Sequence, residues 1–255
     1  MAIQKTKIYI LRKIPFRETS WILTCLTESF GKIKGIVKGA RKEKSKWLAN
    51  CELFSHSNMV FFEKTRSSLQ LVTELSLLES HEKLRSNFTA LTYAGYFAEL
   101  LDQLLEEHDP QPAIYELLNE VIPLLEKKEP PFEMIARTFE IKLLEELGLI
   151  PHFLDCVECG SELMGSVYFS PRSGGVFCRV CHAKSGLSGF LISNGCLQAI
   201  RFLSNQDIQK ASQLKLGKQI QSEFEQVTKR FIEHRLDKQL RSLHFMHQVK
   251  SVIRR

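Results

Sequence analysis

Four cysteines carry the clearest chemistry in this chain. Cys156 and Cys159 form one CxxC pair, Cys178 and Cys181 form a second, and 18 residues separate the two pairs. A CxxC turn aims two thiolates at one ion, and two such turns close a tetrahedron with Zn–S bonds of about 2.3 Å. The gap lies within the spacing of four-cysteine zinc sites, against the alternatives of a disulfide, an iron–sulfur cluster or chance. Gly160 follows the first pair and Gly174–Gly175 precede the second, where knuckles need tight turns. Four thiolates leave no open coordination position, so the expected zinc does no Lewis-acid chemistry. Its contribution is folding, on the order of 10–16 kcal/mol for zinc-finger peptides near neutral pH. His152 and His182 lie nearby, but a complete set of four cysteines makes them superfluous as ligands. Cys25, Cys51 and Cys196 lack partners by spacing and read as small buried apolar residues.

The second chemical feature is charge. The net charge of +6 conceals an asymmetry. Residues 1–46 hold twelve Lys or Arg against three Glu, a net +9, while the remainder holds 23 basic and 26 acidic residues, a net −3. A basic end on a mildly acidic body suits a polyanionic partner. Within it, the stretch Gly31–Lys46 offers Lys32, Lys34, Lys38, Arg41, Lys42, Lys44 and Lys46 as phosphate contacts. Phe16, Trp21, Phe30 and Trp47 are candidate platforms for base stacking, or alternatively members of a small core. Residues 152–190 balance at three basic and three acidic, so the knuckle is a poor electrostatic candidate for binding nucleic acid.

Positioning these groups falls to two kinds of element. Period-2 patterning predicts five short strands: Lys7–Ile14, Trp21–Leu26, Lys32–Gly39, Leu53–Phe62 and Leu69–Leu75. In the third, Ile33, Gly35 and Val37 share one face, and Lys32, Lys34 and Lys38 share the other with Ile36, a solvent row if the first face is core. Five strands at this spacing suit an OB-type barrel, with an SH3-like barrel fitting nearly as well. From about His81 the period becomes 3.6. One helix is expected to stop at Asp109–Pro110, the next to kink or break at Pro123, and a third to begin at Pro131 and end at Gly148. The third is apolar on two sides, as a buried central helix should be. Ser193 is an expected N-cap after the cysteine segment. The expected fold is therefore α+β: an OB-fold β-barrel over residues 1–79, an α-helical domain from 80–151 and 192–255, and a zinc knuckle inserted at 152–191.

Composition excludes several classes. Hydrophobic content of 44% and charged content of 25% are those of a globular protein, and no apolar run is long enough for a membrane helix. Met1–Leu11 shows no secretory signal, so a cytoplasmic location with reduced cysteines is expected. GxxxxGK[ST], HExxH and GxSxG are absent, and neither Gly31-Lys32 nor Gly217-Lys218 carries the residues that complete a phosphate loop. The expectation is a non-enzymatic protein with no small-molecule substrate.

Several elements in order resemble the RecO family of bacterial recombination mediators. They are Arg17-Glu18-Thr19-Ser20, Thr27-Glu28 with Gly31-Lys32, and Lys38-Gly39-Ala40-Arg41 with Ser45. Further along come Phe139-Glu140-Ile141-Lys142-Leu143-Leu144 before Gly148 and Pro151, then Phe169-Ser170 and Gly174-Gly175 between the CxxC pairs, then Leu240-Arg241-Ser242. The resemblance spans essentially the whole chain. It implies an OB fold, a helical domain and a zinc knuckle. It also implies binding of single- and double-stranded DNA and annealing of complementary strands. The implied partners are RecR and the acidic tail of single-stranded-DNA-binding protein, with loading of RecA as the outcome. It places DNA contact at Lys32, Lys34, Lys38, Arg41 and Lys42, and it places the tail's site in the helical domain. An RNA-binding or transcription-associated protein with the same two modules is the alternative that charge alone leaves open.

Overall fold

The computed structural model describes residues 2–43, 45, 47, 49–63, 68–186 and 188–253. In chain order the elements are β1 (Ile3–Phe16), β2 (Ser20–Thr27), β3 (Gly31–Val37), a 3-10 turn (Ala49–Cys51), β4 (His56–Phe62), β5 (Leu69–Glu79), α1 (Glu82–Ser86), α2 (Phe88–Leu104), α3 (Pro112–Leu125) and α4 (Phe132–Glu146). They continue with β6 (Val167–Ser170), β7 (Gly175–Phe177), α5 (Arg179–Ser185), β8 (Phe190–Ile192), α6 (Asn194–Ser204), α7 (Ile208–Ala211), α8 (Lys218–Leu236) and α9 (Arg241–Ile253). By packing, the chain forms two compact units, one of residues 1–128 with 241–255 and one of residues 129–240. This division falls inside both stretches, 80–151 and 192–255, assigned by the sequence to one helical domain.

The first unit is built on a closed barrel of strand order β1-β2-β3-β5-β4. All pairings are antiparallel except β3 with β5. That five-stranded closure is the OB arrangement, and it settles the choice that alternation alone left between OB and SH3-like barrels. β1 makes closure possible by serving two neighbours. Its first half, Ile3–Tyr9, pairs with β4, and its second half, Ile8–Phe16, pairs with β2, with a register shift between Ile10 and Arg12 that bends it. The interior is filled by alternate residues: Ile8, Ile10, Leu23, Cys25, Ile33, Val37, Met59, Phe61 and Val72. Simple alternation puts Ile14 on one face with Ile8 and Ile10, but Ile14 is exposed because it lies beyond the bulge.

Helices α2 and α9 pack on each other in this unit, and α2 also contacts β1. Glu99 of α2 caps α9, its carboxylate accepting from the N–H groups of Arg241 (3.1 Å) and Ser242 (2.8 Å). A carboxylate there satisfies orphan donors and complements the helix dipole. Tyr9 links barrel to helices: its hydroxyl donates to Asn119 Oδ1 of α3 at 2.7 Å, and its ring stacks on His56 with centroids 4.6 Å apart. α2 ends at Leu104, five residues before the expected stop, and the chain beyond it lies against β3 at Lys32. α3 continues through Pro123 and ends two residues later, so the proline costs only its last turn.

In the second unit α4 is the central helix, packed by α6, α7 and α8. Ten of its residues are buried, including the ion pair Arg137–Glu140 at 2.7 Å, whose arginine also donates to Thr228 Oγ1 of α8. Pro131 is its N-cap rather than its first residue. The helix closes in a Schellman pattern, Leu149 N–H to Leu144 O and Gly148 N–H to Glu145 O. Ser193 caps α6, its Oγ accepting from Cys196 N–H at 3.1 Å. Cys25, Cys51 and Cys196 are all buried, and burial pushes their thiols up, Cys51 and Cys196 to about 12. They are inert packing residues.

Candidate metal centre and nucleic-acid interface

The cysteine segment folds as a small sheet of order β7-β6-β8 with a loop on one side and α5 on the other. Cys156 N–H donates to Ser161 O at 3.0 Å and Gly160 N–H returns to Cys156 O at 2.8 Å, which curls the first pair into a tight loop. Cys178 is the N-cap of α5, so the second pair straddles a helix start. The two halves are pinned together by Val157 N–H to Val176 O and by His152 on either side of Gly175. A Cβ on Gly175 would lie 2.5 Å from Val157 Cγ1 and 2.7 Å from His152 O, so only glycine permits this approach. Arg201 of α6 holds the entry, donating to the carbonyls of Phe153 and Leu154 at 2.8 and 2.7 Å. Phe169 of β6 packs against Phe153, Phe190 and Phe231 beneath.

This scaffold brings all four sulfurs within 4.8 Å of one another. Cys159 and Cys178 Sγ lie 4.0 Å apart. A tetrahedron with 2.3 Å bonds has sulfurs about 3.8 Å apart, so the cluster matches a single ion held by four thiolates. Cys178 N–H donates to Cys156 Sγ at 3.3 Å and Cys181 N–H to Cys178 Sγ at 3.4 Å, bonds that favour thiolate sulfur. Ser161, through its hydroxyl and then its N–H, holds the Cys159 thiol down at about 6. Neither histidine joins the set. His152 Nε2 is 2.7 Å from Asp155 Oδ1, and the His182 ring stacks flat on Tyr168 at 3.6 Å between centroids.

The basic surface differs from the expected lysine row. Lys38, Arg41 and Lys42, at the end of β3 and in the turn beyond, are exposed and have no acidic partner among the described residues. Arg41 is fixed in place, its guanidinium donating to Arg17 O at 2.9 Å and its N–H to Thr19 O at 2.9 Å. It lies 5.3 Å from the ring centre of Trp21, which Lys13 approaches to 5.5 Å. Arg17 lies 5.4 Å from Phe16 in the same β1–β2 turn. The β1–β2 turn, the β3 end and the half-buried Trp21 thus form one basic, aromatic surface. Strands 2 and 3 and the β1–β2 loop are where OB barrels take oligonucleotides. Trp21, Phe30 and Trp47 also pack against the barrel core, Phe30 edge-on to Phe61 at 5.4 Å. Lys44 and Lys46 lie outside the described residues.

Lys32 and Lys34 do not belong to a free row. Lys32 is 5% exposed; its Nζ donates to Asp102 O and lies 3.4 Å from Asp102 Oδ1. Lys34 Nζ is paired with Glu107 Oε1. The reason is the segment after α2. Glu107 bridges to Lys32, and His108 N–H donates to Lys32 O at 3.0 Å. Gly31 presses so close to Asp109 that a Cβ would fall 2.1 Å from its carbonyl oxygen. Lys13 and Arg17, which border the same surface, were legible only in the charge count, and Lys13 is paired with Glu52 at 2.9 Å. The pairing of β3 with residues 102–109 carried no sequence signal, because it joins positions 70 or more apart.

The family model for the amino-terminal part of recombination protein O matches residues 1–81, and the model for its carboxy-terminal part matches residues 85–244. A DNA repair protein RecO of Alkaliphilus metalliredigens is 34% identical over 236 residues, covering 92% of this chain and 94% of that one. The DNA repair protein RecO of Symbiobacterium thermophilum is 32% identical over 254 residues, covering 98% and 99%. The one from Dehalococcoides mccartyi is 32% identical over 240 residues, covering 94% and 93%. No helix among the described residues is long and apolar enough to cross a membrane. The barrel, the helices, the four-cysteine cluster and the matched family models agree: this chain belongs to the RecO family of DNA repair proteins, which are mediators rather than enzymes.

Proposed function

We propose that this protein binds single- and double-stranded DNA on its barrel and anneals complementary strands. With RecR and the acidic tail of single-stranded-DNA-binding protein, it then promotes loading of RecA on coated single strands. The observation that carries the reading is the surface of Lys38, Arg41 and Lys42: three exposed cations with no acidic partner among the described residues, Arg41 lying 5.3 Å from the Trp21 ring. Cations in that state exchange condensed counterions for phosphates, and the release of those ions drives association. Trp21 offers a face on which a base can stack without regard to sequence. Holding two strands on such a surface raises their local concentration and leaves base edges free to pair, so no bond is made or broken by the protein. Lys32 is not part of this surface, because its ammonium is buried on Asp102.

The metal in this reading is zinc, whose soft, closed, four-thiolate coordination fits the cluster and leaves it a structural role. The site of action is the cytoplasm, at the nucleoid. Reversal of Lys38, Arg41 and Lys42 to Glu tests the interface. Annealing of complementary oligonucleotides should be lost while the circular dichroism spectrum and melting temperature stay unchanged. Undiminished annealing in that variant would overturn the assignment.

A further inference from the structure

The last turn of α2 and the segment that follows it are acidic, Asp102 to Asp109 containing Asp102, Glu106, Glu107 and Asp109. This stretch lies along the first residues of β3. Among the described residues β3 pairs with β5 from Lys34 to Ile36, opposite Leu69 to Leu71. Below that point, at Lys32, the neighbour is Glu107. The strap is anchored at both ends. Leu105 is buried at one, and Gly31 against the Asp109 backbone closes the other. His108 is held at φ 61, a conformation a non-glycine side chain keeps only when its surroundings impose it.

The consequence is electrostatic. Lys34 points from the outward face of an OB strand that faces nucleic acid, 42% exposed, yet its charge is already matched by Glu107. One carboxylate on a lysine stands where a phosphate oxygen would stand. We propose that Glu107 is a built-in competitor for phosphate at Lys34: the strap keeps one cation of the DNA surface occupied, so that strands are held through the β3 end and the β1–β2 turn and released more readily than the lysine count would allow. This rests on the DNA-binding reading of the barrel. It assigns to the strap the regulation of that same surface. Lys32 is the fixed half of the contact and Lys34 the exchangeable half, because only the second is reachable from solvent.

The test compares Glu107→Gln with Glu106→Gln in the full chain. Glu106 is exposed, lies one residue away and is paired with no lysine among the described residues. Binding of a labelled single-stranded oligonucleotide is measured from 50 to 200 mM salt. Freeing Lys34 adds one phosphate contact, so Glu107→Gln should steepen the log–log slope by about 0.7, an extra loss of about 2.6-fold across that fourfold range. Glu106→Gln should leave the slope unchanged. Lys34→Gln should do little in the native chain but remove the added slope in the Glu107→Gln background. Equal slopes for the two Glu variants would overturn the proposal, since both remove one negative charge. Lys38→Glu with Arg41→Glu separates the two readings. If that pair abolishes binding while Glu107→Gln changes nothing, the strap proposal fails and the barrel interface stands. If the pair changes nothing, the interface itself fails.

Discussion

Lys32→Met gives the sharpest separation between what alternation predicts and what the structure shows. Alternation puts Lys32 in a solvent row of phosphate contacts. The structure buries it, its ammonium donating to the Asp102 carbonyl and lying 3.4 Å from the carboxylate. Methionine keeps the apolar stem, so the substitution removes only the charge and its hydrogen bonds. A fully buried pair broken on one side costs about 3–5 kcal/mol. Asp102 is 22% exposed and can recover some hydration, which brings the expected loss nearer to that of a hydrogen bond to a charged group, about 2 kcal/mol. In a protein of this size that lowers the melting temperature by about 4–8 °C. Thermal denaturation followed by circular dichroism reads the loss, and a salt series of oligonucleotide binding reads the interface. The expected pattern is a lowered melting temperature with an unchanged salt slope. An unchanged melting temperature together with a slope shallower by about 0.7 would refute the reasoning, because it would make Lys32 a phosphate contact on the surface.

Cys178→Ser removes one of four thiolates and also the cap of α5, so metal content measured by elemental analysis should fall together with the melting temperature, while oligonucleotide affinity changes little; a large affinity loss in a folded, metal-replete variant would contradict the structural role. His56 supplies a pH dependence. Burial first of all, with His81 and Lys7 assisting and Glu79 and Glu28 opposing, holds its imidazole below the ordinary value of 6.5. The unfolded chain therefore binds the proton more readily, and this contribution to stability is present above pH 6.5 and lost as pH falls toward the folded value. The neutral ring bonds Tyr115 Oη through Nε2 at 2.8 Å, and Nδ1 is buried with no hydrogen-bond partner among the described residues. The melting temperature should drop between pH 7 and pH 5 more in the native chain than in His56→Gln, and equal drops would remove His56 as the cause.

The local rules of the chain were legible in its residues. Period-2 alternation located all five strands, because a barrel strand that buries one face must repeat every second residue. Gly148 and Ser193 marked helix ends, because orphan backbone groups need partners at fixed positions. The CxxC pairs located the four-cysteine cluster, because four thiols on two short turns are encoded by spacing alone. What the sequence could not carry was decided by contacts between distant positions. Closure of the barrel into an OB fold rests on the parallel pairing of β3 with β5 and on β1 serving two partners across its bulge, contacts between positions far apart in the chain. The fate of the lysines was likewise tertiary. Alternation gives the face on which Lys32 and Lys34 lie, but it does not say what covers that face. The end of α2 and the strap beyond it cover that face with carboxylates some 70 residues away, so the cations left exposed are those they do not reach, at Lys38, Arg41 and Lys42.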